Sequence, residues 1–305
     1  MSELDLVPPP VGTDLLDRPS ATAQAATDGD QPRGMRPRSH PLLRPTSLLA
    51  LLVVLLVVLA AVAPGLFAHA SPYDSDFAHK LQAPGGSHWF GTDQLGRDVF
   101  SRVVHGTSLT LRATLVAVAI AFGVGATLGL LAGYLRGLVD TVVMRFVDIL
   151  LAIPSLLLAL AVVTALGPGT IKVAVAVGVS SVATFARITR AEVLRVRSSD
   201  FVEAATVIGL RRSAVLARHV LPNAAGPAVA LATLELGTAI IAVSSLSFLG
   251  FGAPLPQPEW GSLVAEGRDY LATAWWLAAM PCSVIVAVVL SANRISRAVG
   301  KTGRR

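Results

Sequence analysis

The sequence contains one cysteine, Cys282. An internal disulfide and a cysteine-based metal cluster are therefore excluded. Cys282 lies inside an apolar run, where a small packed side chain is expected rather than a reactive thiol. The six histidines are scattered, with no two at metal-ligand spacing. There is no P-loop, no HExxH helix and no nucleophile elbow. The chain has no visible means of hydrolysing ATP, so any energy source must come through a partner or an ion gradient. Aromatic residues are few, at 6%, and charge is scarce, at 14% of the 305 residues. A soluble domain carries about a quarter.

What fills the chain instead is apolar sequence, 53% of all residues. A membrane span needs about 20 apolar residues. Six stretches qualify: 46–67, 108–134, 142–166, 171–190, 223–249 and 274–296. The expected fold is an all-α membrane protein with six transmembrane helices. Residues 1–45 are rich in Pro, Asp, Ala, Thr and Gln without apolar periodicity, and read as a disordered tail. Four parts follow: the tail 1–45, a first span with an outer segment at 46–107, a five-span core at 108–297, and a short tail at 298–305.

The net charge of +6 does not point to nucleic acid, because its distribution fits membrane orientation. Placing both termini inside leaves nineteen basic residues on the inner side and five on the outer, with Arg112 at a boundary. That bias predicts an N-in, C-in topology.

One polar stretch breaks the pattern, DFVEAATVIGLRRSAVLARHVLP, Asp200 to Pro222. It cannot cross a bilayer, where one charge at a helix centre costs roughly 2.5–3.5 kcal/mol. Asp200 and Glu203 read as a helix N-cap and its N3 partner. Phe201, Val202, Ala205 and Ile208 then give most of an apolar face. Gly209 breaks this short helix, Ser213 is placed to cap a second one, and Pro222 to end the unit. The loop 198–222 thus holds two short helices that need something to dock against, on the inner side by the charge count.

Elsewhere the pattern is read as follows. In the outer segment, Thr92 or Asp93 caps a short helix whose apolar face is Val99, Phe100, Val103 and Val104. Asp98 and Arg102 form an i,i+4 pair there. That helix either rests on the membrane or meets an external partner. Gly125, Gly129 and Gly133 make a small-residue stripe for close helix packing. Pro154 and Pro281 kink their spans. Gly167-Pro168-Gly169 is a tight outer turn. The last outer loop, with Pro254, Pro256 and Pro258, makes a constrained turn and then a short helix from about Ser262. Asp148 pairs with Arg145 near the inner end of its span. Glu235 stands at mid-span and must face a polar cavity, find a partner or be protonated. It either lines a path or makes a structural hydrogen bond.

The stretch from Asp200 to Pro222 resembles the EAA loop of ABC-transporter permeases of bacterial importers. Glu203-Ala204-Ala205, Gly209 and Leu221-Pro222 stand at that motif's spacings, with His219 where the pattern has Ile. Phe90–Gly106, Gly129–Leu160, Arg218–Ala224 and Ser245–Gly252 resemble the dipeptide/oligopeptide/nickel branch, and within it the C-type subunit. The resemblance runs from about residue 40 to 296. Two places depart from it. Val243 stands where members often carry an acid, while Glu235 lies two helical turns earlier. Asn293–Arg305 replaces a Gly-Asp-Gly-rich tail.

The resemblance implies a type I importer permease fold in the bacterial inner membrane. It implies that the chain is not an enzyme and holds no cofactor, since ATP and Mg belong to partner subunits. It assigns coupling to Asp200, Glu203, Ala204, Ala205, Gly209, Leu221 and Pro222, on a helix that docks in a groove of an ATP-binding subunit. When two such subunits close on ATP, the docked helices move and the spans rock. The implied partners are a homologous second permease, two ATPase subunits, an extracytoplasmic binding protein, membrane lipid and a short peptide cargo. Nickel or another small solute is the alternative cargo. A proton-coupled secondary transporter using Glu235 is the alternative of another class, and it leaves the EAA loop without a role.

Overall fold

A computed structural model describes residues 45–302, with side chains to residue 298. The tail expected at 1–45 lies, but for its last residue, outside the described part. Ten α-helices are present among the described residues: α1 Pro45–Val62, α2 Val99–Leu135, α3 Gly137–Ala152, α4 Ser155–Leu166, α5 Thr170–Arg197, α6 Asp200–Val207, α7 Arg212–Val215, α8 Leu221–Leu246, α9 Trp260–Arg268 and α10 Trp276–Thr302. The only strand-like pairing among them is an isolated bridge between Thr92 and Asp98. Five helical runs are long and apolar enough to cross a membrane, and the α3–α4 pair makes a sixth as a broken span. The fold is all-α, as expected.

Several boundaries differ from the expectation. The short outer helix and the second span are one helix, α2, of 37 residues. Its N-cap is Asp98, whose carboxylate accepts from the Ser101 amide at 2.7 Å, and not Thr92 or Asp93. Polar residues at its start hid the continuity. A division at residue 107 therefore cuts a continuous helix. Val99, Val103 and Val104 of that start are buried against the protein, so this face does not rest on lipid.

The third span bends by 96° at Ile153–Pro154, far more than a kink. Pro154 lacks the N–H that would continue α3, and the residue before a proline is driven out of the α region. Ile153 is extended accordingly, at φ −94° and ψ 128°. The last helix runs to Thr302, so no separate tail begins at 298. Cys282 is exposed on that helix rather than packed.

The frame of the bundle is the pair α2 and α5, which lie along each other over most of their length. Glycines on α2 make this possible. A β-carbon at Gly125 would stand 2.5 Å from the Val182 carbonyl oxygen, one at Gly129 would overlap the Ala186 carbonyl, and one at Gly133 would stand 2.8 Å from a Val193 methyl. Ala113, Ala117, Ala159, Val163, Val173, Val177, Ala239 and Val243 join α2, α4, α5 and α8 in the central core. A second core at one end joins α1, α2, α9 and α10 around Trp260 and Trp276. The other end, rich in arginine, carries α6 and α7.

Candidate functional site

At the arginine-rich end the chain leaves α5, turns at Ser198-Ser199 and enters α6. The N-cap is Ser199, one residue before the expected Asp200, and it makes no side-chain cap. Its hydroxyl instead donates to the Val196 carbonyl at 2.5 Å. The capping box is thus absent. Asp200 and Glu203 occupy the first turn, where their charges suit the helix dipole. Both are exposed.

The other end of α6 is closed in full. Gly209 takes φ +84°. Its amide donates to the Thr206 carbonyl at 3.1 Å, and the Leu210 amide to the Ala205 carbonyl at 3.3 Å. These two bonds make a Schellman motif, which requires a left-handed residue at that position. The break at Gly209 is as the sequence indicated.

The faces of α6 divide differently from the expectation. Val202 and Ala205 are buried, in a cluster with Val193, Val196, Val215, Val220 and Ala224. Phe201, Ala204, Val207 and Ile208 point away from the bundle, with Val207 80% and Ile208 77% exposed. Ala205 therefore packs against its own chain, and only Ala204 of the alanine pair is available to another surface. A helix of eight residues has room for two apolar faces, and spacing alone did not say which was inward.

Beyond Gly209 the expected second helix is not capped by Ser213. It starts after Arg211, and Ser213 lies inside it. Nor does Pro222 end the unit. Arg212–Phe251 is one helical run of 40 residues, so the loop feeds straight into the fifth span. Pro222 sits in the first turn of α8. The run widens into π geometry at Leu216–Val220, closed by the Leu221 amide bonding the Leu216 carbonyl. A wide turn just before a proline takes up the missing N–H and the ring. Leu221 and Pro222 are both exposed.

Two residues that the sequence did not single out tie this unit to the bundle. The Tyr134 hydroxyl, at the end of α2, donates to the Arg212 carbonyl at 2.5 Å. Arg197, at the end of α5, donates to the Tyr134 carbonyl at 2.6 Å and lies over its ring. With Glu203, Val202, Leu210 and Arg212 they line a groove of about 400 Å³. A tyrosine and an arginine at the arginine-rich ends of two spans were the available signal.

Glu235 lies on α8, where its carboxylate accepts from the Ser181 hydroxyl of α5 at 2.8 Å. The two flank a cavity of about 100 Å³ between α4, α5 and α8. Asp148 pairs with Arg187 of α5 at 2.7 Å, not with Arg145. The partner lies 39 residues away, and sequence adjacency could not reveal it.

The opposite end holds a buried ion cluster. Arg102 bonds Asp93 at 2.9 Å and Glu266 of α9 at 2.7 and 3.0 Å, and Arg97 bonds Asp93 at 2.7 Å. Asp93, Arg97 and Arg102 are all buried. The expected Asp98–Arg102 pair is replaced, since Asp98 bonds His88 at 2.9 Å. Nearby, Glu259 at the start of α9 is wholly buried. It accepts from the Ser247 hydroxyl at 2.5 Å and the Ala253 amide at 2.9 Å, and burial pushes its carboxyl above the ordinary range. The constrained turn before α9 is present, with a cis Leu255–Pro256 bond, and α9 starts two residues before Ser262.

Against known proteins, residues 125–302 match the family described as binding-protein-dependent transport system inner membrane component. The chain is 38% identical over 249 residues to the dipeptide transport system permease protein of Alkalihalophilus pseudofirmus, covering 82% of each. It is 42% identical over 248 residues to the glutathione transport system permease protein of Escherichia coli O6:K15:H31, covering 80% of each. Among solved structures it resembles the inward-facing methionine transporter MetNI, with TM-score 0.52 and 20% identity, over 65% of this chain and 96% of that one. It also resembles an amino acid ABC transporter, with TM-score 0.53 and 16% identity, over 65% and 92%. These two likenesses speak for the type I importer permease fold.

Proposed function

The chain belongs to the inner membrane components of binding-protein-dependent transport systems, and from that membership we propose that it is one permease half of an ATP-driven importer of short peptides. The arginine-rich end faces the cytoplasm, with both termini on that side. The second half is a homologous permease. Two ATPase subunits supply the hydrolysis for which this sequence has no motif, and an extracytoplasmic binding protein delivers the peptide. The peptide cargo rests on the named relatives, which transport dipeptides and glutathione.

One observation supports the coupling role above the others: α6 presents an uncovered apolar face, Phe201, Ala204, Val207 and Ile208, on a helix locked to the bundle through its other face. An exposed apolar face rimmed by charge is a docking surface. Rigid closure at Gly209 and the run from Arg212 into α8 let a push on α6 reach a membrane span directly.

Co-purification tests this. Tagged wild-type chain, expressed with its second permease and ATPase subunits, retains the ATPases through detergent extraction. Ile208→Asp folds and keeps the second permease but loses the ATPases. Full retention of the ATPases by Ile208→Asp contradicts the docking role.

A further inference from the structure

We propose that the cavity beside Glu235 is a binding subsite for a primary ammonium group of the cargo in transit. The inference deepens the peptide reading and rests on it for the source of that group. Three hydroxyl protons around this cavity point into the protein. The Ser181 hydroxyl donates to Glu235 at 2.8 Å. The Ser180 hydroxyl donates to the Val177 carbonyl at 2.8 Å, and the Thr238 hydroxyl to the Glu235 carbonyl at 2.9 Å. All three line the cavity with Glu235.

A hydroxyl has one proton and two acceptor lone pairs. Each of these three has spent its proton on the protein, so each turns only acceptor capacity toward the cavity. The carboxylate adds the remaining acceptors and the charge. Among the described residues no ion pair answers that charge. The site therefore offers one carboxylate and mainly acceptors, with the Ser155 hydroxyl at its α4 edge as the one side-chain donor left over. A ligand that fits is a small cation rich in donors. A primary ammonium, with three N–H donors and one positive charge, meets that requirement; a carboxylate, repelled by Glu235, does not.

Size and place agree. About 100 Å³ holds an ammonium head and its first carbon, not a peptide, so the cavity is a subsite. Leu234, Thr238 and Ile241 follow one another along an uncovered stripe of α8, Leu249 extends it just past the helix, and Leu156 and Leu157 of α4 are uncovered nearby. The cavity thus opens beside the face left for the other half of the transporter, where a shared path would run. The ammonium could come from a peptide N-terminus or from a lysine side chain, and the test separates the two.

The experiment uses the assembled wild-type transporter in proteoliposomes. Glu235 is labelled with dicyclohexylcarbodiimide and the modified peptide is quantified by mass spectrometry. Butylammonium chloride, at a few times its dissociation constant, slows labelling about five-fold by occupancy. Tetramethylammonium and sodium chloride at the same concentration do not, because neither donates an N–H. Alanyl-alanine protects and N-acetyl-alanyl-alanine does not if the N-terminus is the source. Protection by N-acetyl-alanyl-lysine identifies the side chain. Absent labelling, labelling indifferent to butylammonium, or equal protection by all three cations overturns the subsite. Protection by butylammonium with no effect of any peptide retains the subsite and counts against the peptide cargo.

Discussion

Ala204 and Ala205 are adjacent in sequence and face opposite ways. Ala205 is 5% exposed and packs inward, while Ala204 lies on the open face. Ala205→Trp forces a large ring into a closed cluster, where overpacking costs about 1–3 kcal/mol. A lowered unfolding temperature in detergent is the expected result. Ala204→Trp leaves that temperature near wild type and instead weakens ATPase binding. A reversal of the two phenotypes would refute the assignment of faces. Glu259 supplies a second residue-scale outcome. Its carboxyl titrates above the ordinary range because burial disfavours the charge, so the native state binds the proton more tightly than the unfolded chain. Stability is then fullest below the unfolded value of 4.5 and falls as pH rises through the raised native value. Unfolding temperatures measured across that window decline in wild type and decline less in Glu259→Gln. Equal slopes in both proteins would show that this carboxyl does not carry the effect.

At the scale of elements, the spans were legible because composition marks them: long apolar runs leave few alternatives in a membrane. The break at Gly209 was legible because only one residue type takes its geometry cheaply. Other features were hidden for physical reasons. Asp148, Arg102 and Asp98 each had a charged neighbour along the chain, yet each bonds a residue ten or more positions away in sequence, and Arg102 also bonds Asp93 nine residues back. The run from Arg212 through Pro222 into α8 was hidden because a proline early in a helix starts it as readily as it ends one. The inward and outward faces of α6 depended on which side the bundle stood, and a sequence of eight residues does not record that. Arg102 shows what the distant pairing holds together. It pins the start of α2 to α9, with Asp93 and Glu266 on either side. Arg102→Met leaves two carboxylates with only Arg97 between them, and breaking a buried pair costs about 3–5 kcal/mol. Arg268→Met removes an exposed pair with Asp269 and costs less than about 1 kcal/mol. Thermal unfolding of the two variants side by side checks this, and equal losses would contradict the role given to the buried cluster.

At the scale of the whole molecule, the arrangement separates three tasks along one bundle. The arginine-rich end presents a rigid helix with an open apolar face. The middle holds a small acceptor-lined cavity between α4, α5 and α8. The opposite end is held by buried charge and two tryptophans. In the proposed coupling, a push on α6 would enter the helical run that starts at Arg212 and travel along α8 past Glu235. In the proposed importer, ATP hydrolysed by partner subunits drives movement through this chain. This is tested most directly by uptake of radiolabelled alanyl-alanine into proteoliposomes holding the complete transporter, with binding protein outside and ATP inside. The expected result is accumulation that requires enclosed ATP, survives a protonophore and is lost with Ile208→Asp. Accumulation without ATP that collapses when the protonophore is added would contradict it.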